Sequence, residues 1–476
     1  MKHFKAFIVC IIAFLFNIGC RKFVELDPPA TLLVTENVFQ RDETANAALS
    51  GLYTSMVEQN MPPFLLALYT GLYGDELNTV YVPNRPVYQN GLRASDAVTN
   101  EIWSSGYKFI YQANSIYEGC MASKSLNSMV KKQVMAEAIF IRAFWNFYLV
   151  NLYGDIPLVT TTNYSHNETI SRSPVSKVYD RIISDLVIAQ SSLNENYVGA
   201  NSISTVNDRV RPNKATATAL LARTYLYVGN YTAAAEQATL LIENSDVYSL
   251  EPLNQVFLIA SREAIWQLAK PTPTGNINTY EGSFFILTGV PQFDLRQSTT
   301  VSSQLVNSFD AGDKRKDLWI GTYTDASMTP SKDYYFPYKY KVDNSADVTE
   351  YTVVLRLAEQ YLIRAEARAQ QNDLNGAISD LDKIRERAGI PPIASTNPTI
   401  SKDNLLIAIL KERQRELFAE WGHRLLDLKR TKTLDAVMTD VAPSKGAIWN
   451  ATKQLWPIPQ AEIGNDPNLT QNTGYN

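Results

Sequence analysis

The feature that most constrains the fold is a pair of helices that occurs twice in the chain, with a constant offset of 143 residues. Residues 212–228 carry an apolar repeat of helical period, Gly229-Asn230 interrupts it, and residues 231–243 resume it. Residues 355–371 and 374–388 reproduce this layout. Ala222 corresponds to Ala365, Tyr231 to Leu374, Ala234 to Ala377 and Leu241 to Ile384. Alanine at a helix crossing lets two backbones approach closely, and a single hairpin cannot bury its apolar face alone. The pattern therefore predicts stacked helical hairpins around a continuous core, dispersed along the chain and separated by insertions.

Other stretches share the period. Residues 134–152 place Ala138, Ile141, Ala143, Trp145 and Leu149 on apolar positions and end at Gly154. Pro174 stands where a helix can begin, with Val178, Ile182, Leu186 and Ala189 following at spacings of three to four. Ser401 and Asp403 suit the start of a helix over residues 401–430, whose apolar face is Leu406, Ile409, Leu410, Leu417 and Phe418 and which Gly422 interrupts. Within it, Arg413, Arg415, Glu416 and Glu420 interleave charges at spacings that predict a solvated, ion-paired face. His423 and Asp427, one turn apart, read as structural groups, and Trp103 and Trp145 as core. A helix-turn-helix unit with small residues at its crossings resembles the tetratricopeptide repeat. The expected fold is mainly α: tetratricopeptide-like hairpins forming an α/α superhelical scaffold, with long irregular loop insertions.

Two regions resist a helical reading. Residues 60–100 contain Pro62-Pro63, Pro83, Pro86 and Gly91 among Tyr69, Tyr73, Tyr81 and Tyr88. Residues 270–345 alternate Pro271, Pro273, Gly275, Gly282, Gly289 and Pro291 with aromatics from Tyr280 to Tyr340. Turn formers alternating with rings predict ordered excursions, where binding residues concentrate on a rigid scaffold. The segment from Trp456 to the end is irregular too, yet Pro457, Ile458, Pro459 and Leu469 predict that it is pinned to the body.

At the other terminus, Lys2 and Lys5 precede an apolar run over residues 6–16, and Asn17-Ile18-Gly19 leads into Cys20. A basic start, an apolar stretch too short to span a bilayer and a small-residue cleavage site describe an export signal over residues 1–19. A cysteine directly after the cleavage site resembles the lipobox of bacterial lipoproteins, which makes Cys20 the expected lipidation site. Cys10 leaves with the signal, so Cys120 is expected as an unpaired, buried thiol. With three histidines in the chain and no Cys-x-x-Cys, no metal or cofactor site is expected, and a formal net charge of −4 without basic runs excludes nucleic acid as the partner.

Five segments resemble the SusD/RagB family of Bacteroidetes outer-membrane lipoproteins. They are 22–28 (KFVELDP), 142–158 (RAFW through LYGDIPL), 355–367 (LRLAEQYLIRAEA), 409–430 (ILKERQRELFAE through GHR to DLKR), and the tail carrying LWPIP and NLTQN. Arg21-Lys22 stands where many such proteins carry an acidic run after the anchor. The resemblance implies a single SusD-like domain over residues 20–476, anchored in the outer membrane and facing the cell exterior. It implies a non-catalytic lid on a SusC-like, TonB-dependent transporter that captures an oligosaccharide, less often a peptide. Sugars present apolar C–H faces to aromatic rings and hydroxyls to Asn, Asp and Arg, so the candidate ligand-binding residues are Asp75, Asn78, Tyr81 and Tyr88 from the first region and Tyr280, Phe293, Arg296 and Trp319 from the second. The alternatives are a surface glycosidase, for which Asp75-Glu76 is the one adjacent acidic pair in an aromatic-rich loop, and a peptide-binding scaffold without a transport role.

Overall fold

Asn127, Asn213, Asn230, Asp373 and Ser401 each accept a backbone N–H at the start of a long helix. These caps satisfy donors that the first turn leaves without partners. The computed structural model describes residues 38–58, 61–271 and 277–475. Cys20, the signal over residues 1–19 and the 22–28 segment lie outside the described residues. The described helices of eight or more residues are α1 (Asp42–Glu58), α2 (Pro62–Tyr73), α3 (Ala97–Ala122), α4 (Ser128–Tyr153), α5 (Val175–Ser192), α6 (Lys214–Tyr227), α7 (Tyr231–Ile242), α8 (Leu357–Gln370), α9 (Leu374–Ala388), α10 (Lys402–Leu417), α11 (His423–Arg430) and α12 (Leu434–Val441). The described strands of three or more residues are β1 (Leu77–Thr79), β2 (Ala264–Leu268), β3 (Thr299–Val301), β4 (Ile320–Asp325), β5 (Lys332–Pro337) and β6 (Thr352–Arg356). Among the described residues, no helix is long and apolar enough to cross a membrane.

From α3 to α8 each helix packs on the next, and α9 and α10 both close on α8. This is the superhelix that the repeat predicts, with one refinement. The two matching hairpins, 143 residues apart in sequence, are neighbours in space: Ala222, Leu226, Ala234 and Ala238 of α6–α7 form one buried cluster with Ile363 and Ala367 of α8. The long segment between α7 and α8 is thus an excursion from an unbroken stack. Its base is clamped by the antiparallel ladder of β2 with β6, placed directly before α8. The core centres on α4, where the Phe144 ring meets those of Trp145, Trp266 and Trp421 at centroid distances of 5.3–5.6 Å. Trp103 and Trp145 are buried as expected, and so is Cys120, whose thiol is pushed up to about 12 by burial. The tail is pinned as well, with Trp456 N–H donating to the Leu152 carbonyl at 2.9 Å and Asn472 Nδ2 to the Tyr153 carbonyl at 2.8 Å.

Two expectations are corrected. The 60–100 region opens with a helix, because Pro62 and Pro63 occupy the first turn, where no N–H donor is needed. All twelve residues of α2 are buried, including Tyr69 and Tyr73, so it is apolar on every side and offers no amphipathic stripe to read. The second correction concerns α10. Glu412, Arg413, Arg415, Glu416 and, just beyond the helix, Glu420 are buried rather than solvated. Arg356 reaches Glu263 at 3.0 Å and Glu420 at 2.9 Å and also contacts Glu416; Arg315 reaches Asp313 at 2.7 Å and Glu416 at 2.9 Å; Arg413 holds Asp427 at 2.7 Å. Arg315 and Arg356 reach Glu416 and Glu420 from segments 60 or more residues away, which local spacing cannot report. Between α10 and α11 the chain turns through left-handed residues Ala419, Trp421 and Gly422. A Cβ at Gly422 would stand 2.9 Å from Thr70 Oγ1, so only glycine lets this turn close on α2.

Candidate functional site

The two aromatic-rich regions meet. Strand β1, just after α2, pairs antiparallel with β3 in the register Leu77–Val301, Asn78–Thr300, Thr79–Thr299. Val80 N–H extends the ladder to the Ser298 carbonyl at 3.1 Å. Leu77 faces the core, so Asn78 on the alternate face is left partly open. The Tyr88 hydroxyl donates to Asn78 Oδ1 at 3.2 Å, and Tyr81 N–H to Thr79 Oγ1 at 3.1 Å. Beside them Val80 and Val82 are exposed, Val82 by 52%. On the β3 side, the segment leading into the ladder carries exposed Val290 and the Phe293 ring, which is 78% exposed.

That segment is closed by its own polar groups. Gln292 N–H donates to the Gln297 carbonyl at 2.6 Å, and Asp294 Oδ1 accepts from the backbone N–H groups of Arg296 (2.8 Å) and Gln297 (2.9 Å). Arg296 is anchored through Nε to the Ser283 carbonyl at 3.0 Å and through Nη2 to Asp343 Oδ1 at 2.6 Å. Next to it β4 and β5 form a hairpin. There Tyr323 lies opposite Tyr334, and both pack on a buried cluster of Ile286, Leu287 and Phe336.

Beneath the ladder lies a floor of buried charge. Both Asp75 carboxylate oxygens accept from Arg424, at 2.9 Å from Nε and 2.6 Å from Nη2. Glu76 is buried beside it. Burial and the Asp75 charge raise its carboxyl from 4.5 to about 8, so it is protonated at neutral pH. Lys445 Nζ donates to the Leu72 carbonyl at 2.7 Å and also to the Gly74 carbonyl, capping the end of α2, and sits 5.1 Å from the Tyr88 ring centroid. Burial lowers this lysine to about 7. Several other lysines cap helix ends in the same way: Lys131 at α3, Lys402 at α8 and Lys429 at α4.

Of the eight residues that the sequence nominates for a ligand, the ladder joins the segment carrying Asn78, Tyr81 and Tyr88 to the one carrying Phe293 and Arg296. The Tyr280 hydroxyl is taken by Glu58, donating to its Oε2 at the end of α1 at 3.1 Å. Two nominations are corrected. Trp319 is fully buried, with Nε1 donating to the Leu253 carbonyl at 2.9 Å and its ring against Phe257, so no face of it is open to a ligand. Asp75 is buried and spends both oxygens on Arg424, so it cannot reach a sugar hydroxyl, and the Asp75-Glu76 pair cannot flank a substrate bond. Val80, Val82, Val290 and the Tyr323–Tyr334 pair were not nominated. Only the alternation within residues 320–325 and 332–337 could have flagged the last of these.

The chain matches a SusD family profile over residues 297–475, and a second profile, described as "Starch-binding associating with outer membrane", over residues 22–226. It is 28% identical to SusD-like protein P2 of Formosa agariphila across the full length of both chains. Among solved structures it is similar to a SusD superfamily protein from Bacteroides vulgatus, with a TM-score of 0.78 and 20% identity over 91% of this chain and 99% of that one. It is also similar to surface glycan-binding protein A from Bacteroides fluxus, with a TM-score of 0.72 and 22% identity over 91% of this chain and 99% of that one.

Proposed function

Since the chain belongs to the SusD/RagB family, we propose that it captures a glycan at the cell surface, without catalysis, and hands it to a transporter. The ligand is an oligosaccharide, and the receiving partner is a SusC-like, TonB-dependent barrel in the outer membrane. Cys20 carries the acyl chains that anchor the protein in that membrane, with the scaffold facing the exterior. Multiple chains, at about 0.8 kcal/mol per buried methylene, make such an anchor effectively permanent.

The observation that carries this reading is the Phe293 ring, 78% exposed on a loop closed by its own hydrogen bonds and joined to the β1–β3 ladder. An exposed phenyl ring on an ordered support suits the C–H face of a pyranose, and Asn78, Tyr81 and Tyr88, on the segment paired with it through the ladder, supply polar groups for hydroxyls. Covering one side of the ring uses about half of the 1.5–3 kcal/mol that full burial of such a side chain brings, which is on the order of a tenfold change in affinity. The binding of glucan over other polysaccharides is suggested by the starch-binding description of the matching profile. Affinity electrophoresis against a glycan panel, run with the parent chain and Phe293→Ala, tests the reading. Retardation of the parent in one glycan, weakened in the variant, is the expected result; equal mobility of both proteins in every glycan would contradict it.

A further inference from the structure

We propose that Asp294 and Gln297 are positioning residues for ligand capture, holding the 288–297 loop in the one form that displays the Phe293 ring. This role rests on the glycan-capture reading and goes beyond it by assigning affinity to two side chains that need not touch the ligand.

The loop is built around these two residues. Gln297 ties together its two feet: Oε1 accepts from Thr288 N–H at 3.0 Å, Nε2 donates to the Ile286 carbonyl at 3.3 Å, and its own carbonyl accepts from Gln292 N–H at 2.6 Å. Asp294 ties down the tip by accepting two successive backbone N–H groups, those of Arg296 and Gln297, through the same Oδ1. A short acidic side chain that caps the backbone two and three residues ahead fixes a turn locally. Phe293, between Gln292 and Asp294, points outward from this ring of bonds with 78% of its surface in water. Among the described residues the ring belongs to no buried apolar cluster, so its orientation depends on the backbone beneath it. The foot of the loop is firm because Ile286 and Leu287 are buried against Phe336. The stretch between is held at one point by Arg296, through the Ser283 carbonyl and Asp343, and is closed by Asp294 and Gln297.

Binding to a segment that must first be ordered is weakened by the cost of ordering it. With the loop closed beforehand, a sugar meets a ring already in place. A phenyl ring offers no hydrogen bond, so recognition at this point is by the apolar face of a sugar, and the positioning of that ring sets the strength of the contact. Among the described residues, the hydrogen-bond partners of the Asp294 and Gln297 side chains all lie within residues 286–297, and none of them belongs to a long helix.

The test is a cycle of Phe293→Ala, Asp294→Ala, Asp294→Asn and the double variant Phe293→Ala/Asp294→Ala. Titration calorimetry against the glycan that retards the parent gives the affinities, and melting midpoints are read in parallel. Asp294→Ala is expected to weaken binding several-fold, on the order of the ordering cost of a few side chains, while the midpoint stays at the parent value. Asp294→Asn keeps an acceptor oxygen and restores most of the lost affinity. The double variant binds as Phe293→Ala does. Weak binding in Phe293→Ala with full binding in Asp294→Ala would overturn the positioning role and leave glycan capture standing. Additive losses in the double variant, or an Asn variant as weak as the Ala variant, would assign Asp294 a direct contact with ligand and overturn it as well. Full binding in Phe293→Ala would overturn both the positioning role and the reading on which it rests.

Discussion

Glu76→Gln separates the buried floor of the site from the ligand-facing side chains above it. Glu76 is 2% exposed, its Oε2 accepts a long bond from Ala419 N–H at 3.4 Å, and burial together with the Asp75 charge raises its carboxyl from 4.5 to about 8. A folded-state value above the unfolded one contributes stability that is complete below the unfolded value and is lost as pH rises through the folded one. Between those two values, one ionising group changes the stability by about 1.36 kcal/mol for each pH unit. From pH 5 to pH 8 the Glu76 contribution therefore declines by roughly 4 kcal/mol. Glutamine has nearly the same shape and does not ionise. The stability of Glu76→Gln relative to the parent should rise by about 1.4 kcal/mol per pH unit across this window and level off above pH 8. A constant offset of about 1 kcal/mol from the new amide's hydrogen bonds leaves the slope unaffected. Urea unfolding followed by tryptophan fluorescence at unit pH intervals gives the difference directly, with other titrating groups common to both proteins cancelling. A difference that does not vary with pH, or one that makes glutamine increasingly unfavourable toward pH 8, would show that Glu76 is charged in the folded protein and would refute the reasoning.

Three further outcomes are expected, two from the geometry and one from the proposed lipid anchor. Arg356→Met strips Glu263, Glu416 and Glu420 of a buried partner and should cost about 3–5 kcal/mol in the same unfolding assay, far more than a surface substitution. Trp319→Phe removes the bond from Nε1 to the Leu253 carbonyl; it should lower stability by about 1 kcal/mol and leave glycan affinity unchanged, as calorimetry would show. Cys20→Ser, expressed in the native host, should move the protein from the membrane fraction to the soluble one after cell disruption, seen by immunoblot.

The scaffold was legible because its signals are local. Apolar period and the repeat offset placed helices at 374–388 and 231–243, and the structure has Leu374–Ala388 and Tyr231–Ile242. Pro174 does precede a helix, and Gly154, at a φ of 76°, does end one. Where the reading failed, the deciding partner was remote. Pro62–Tyr73 starts at prolines that suit a first turn but lacks an apolar stripe because its surroundings bury every side, and residues 412–417 of α10 are buried because Arg315, Arg356 and Arg387 arrive from elsewhere. The candidate site divides the same way. That residues 60–100 and 270–345 are aromatic-rich excursions was readable from their composition; that strands at 77–79 and 299–301 pair was not. That Arg424 would occupy Asp75 and that Trp319 would lie beneath the surface while Phe293 stood above it depended on contacts 20 or more residues away in sequence.

The most direct test of the central claim is calorimetric titration of the chain from Arg21 onward with oligosaccharides, with product analysis of the same samples. Glycan capture predicts saturable binding to at least one oligosaccharide, about tenfold weaker in Phe293→Ala, with the glycan recovered intact. Release of shorter sugars, or binding that Phe293→Ala leaves untouched, would contradict it.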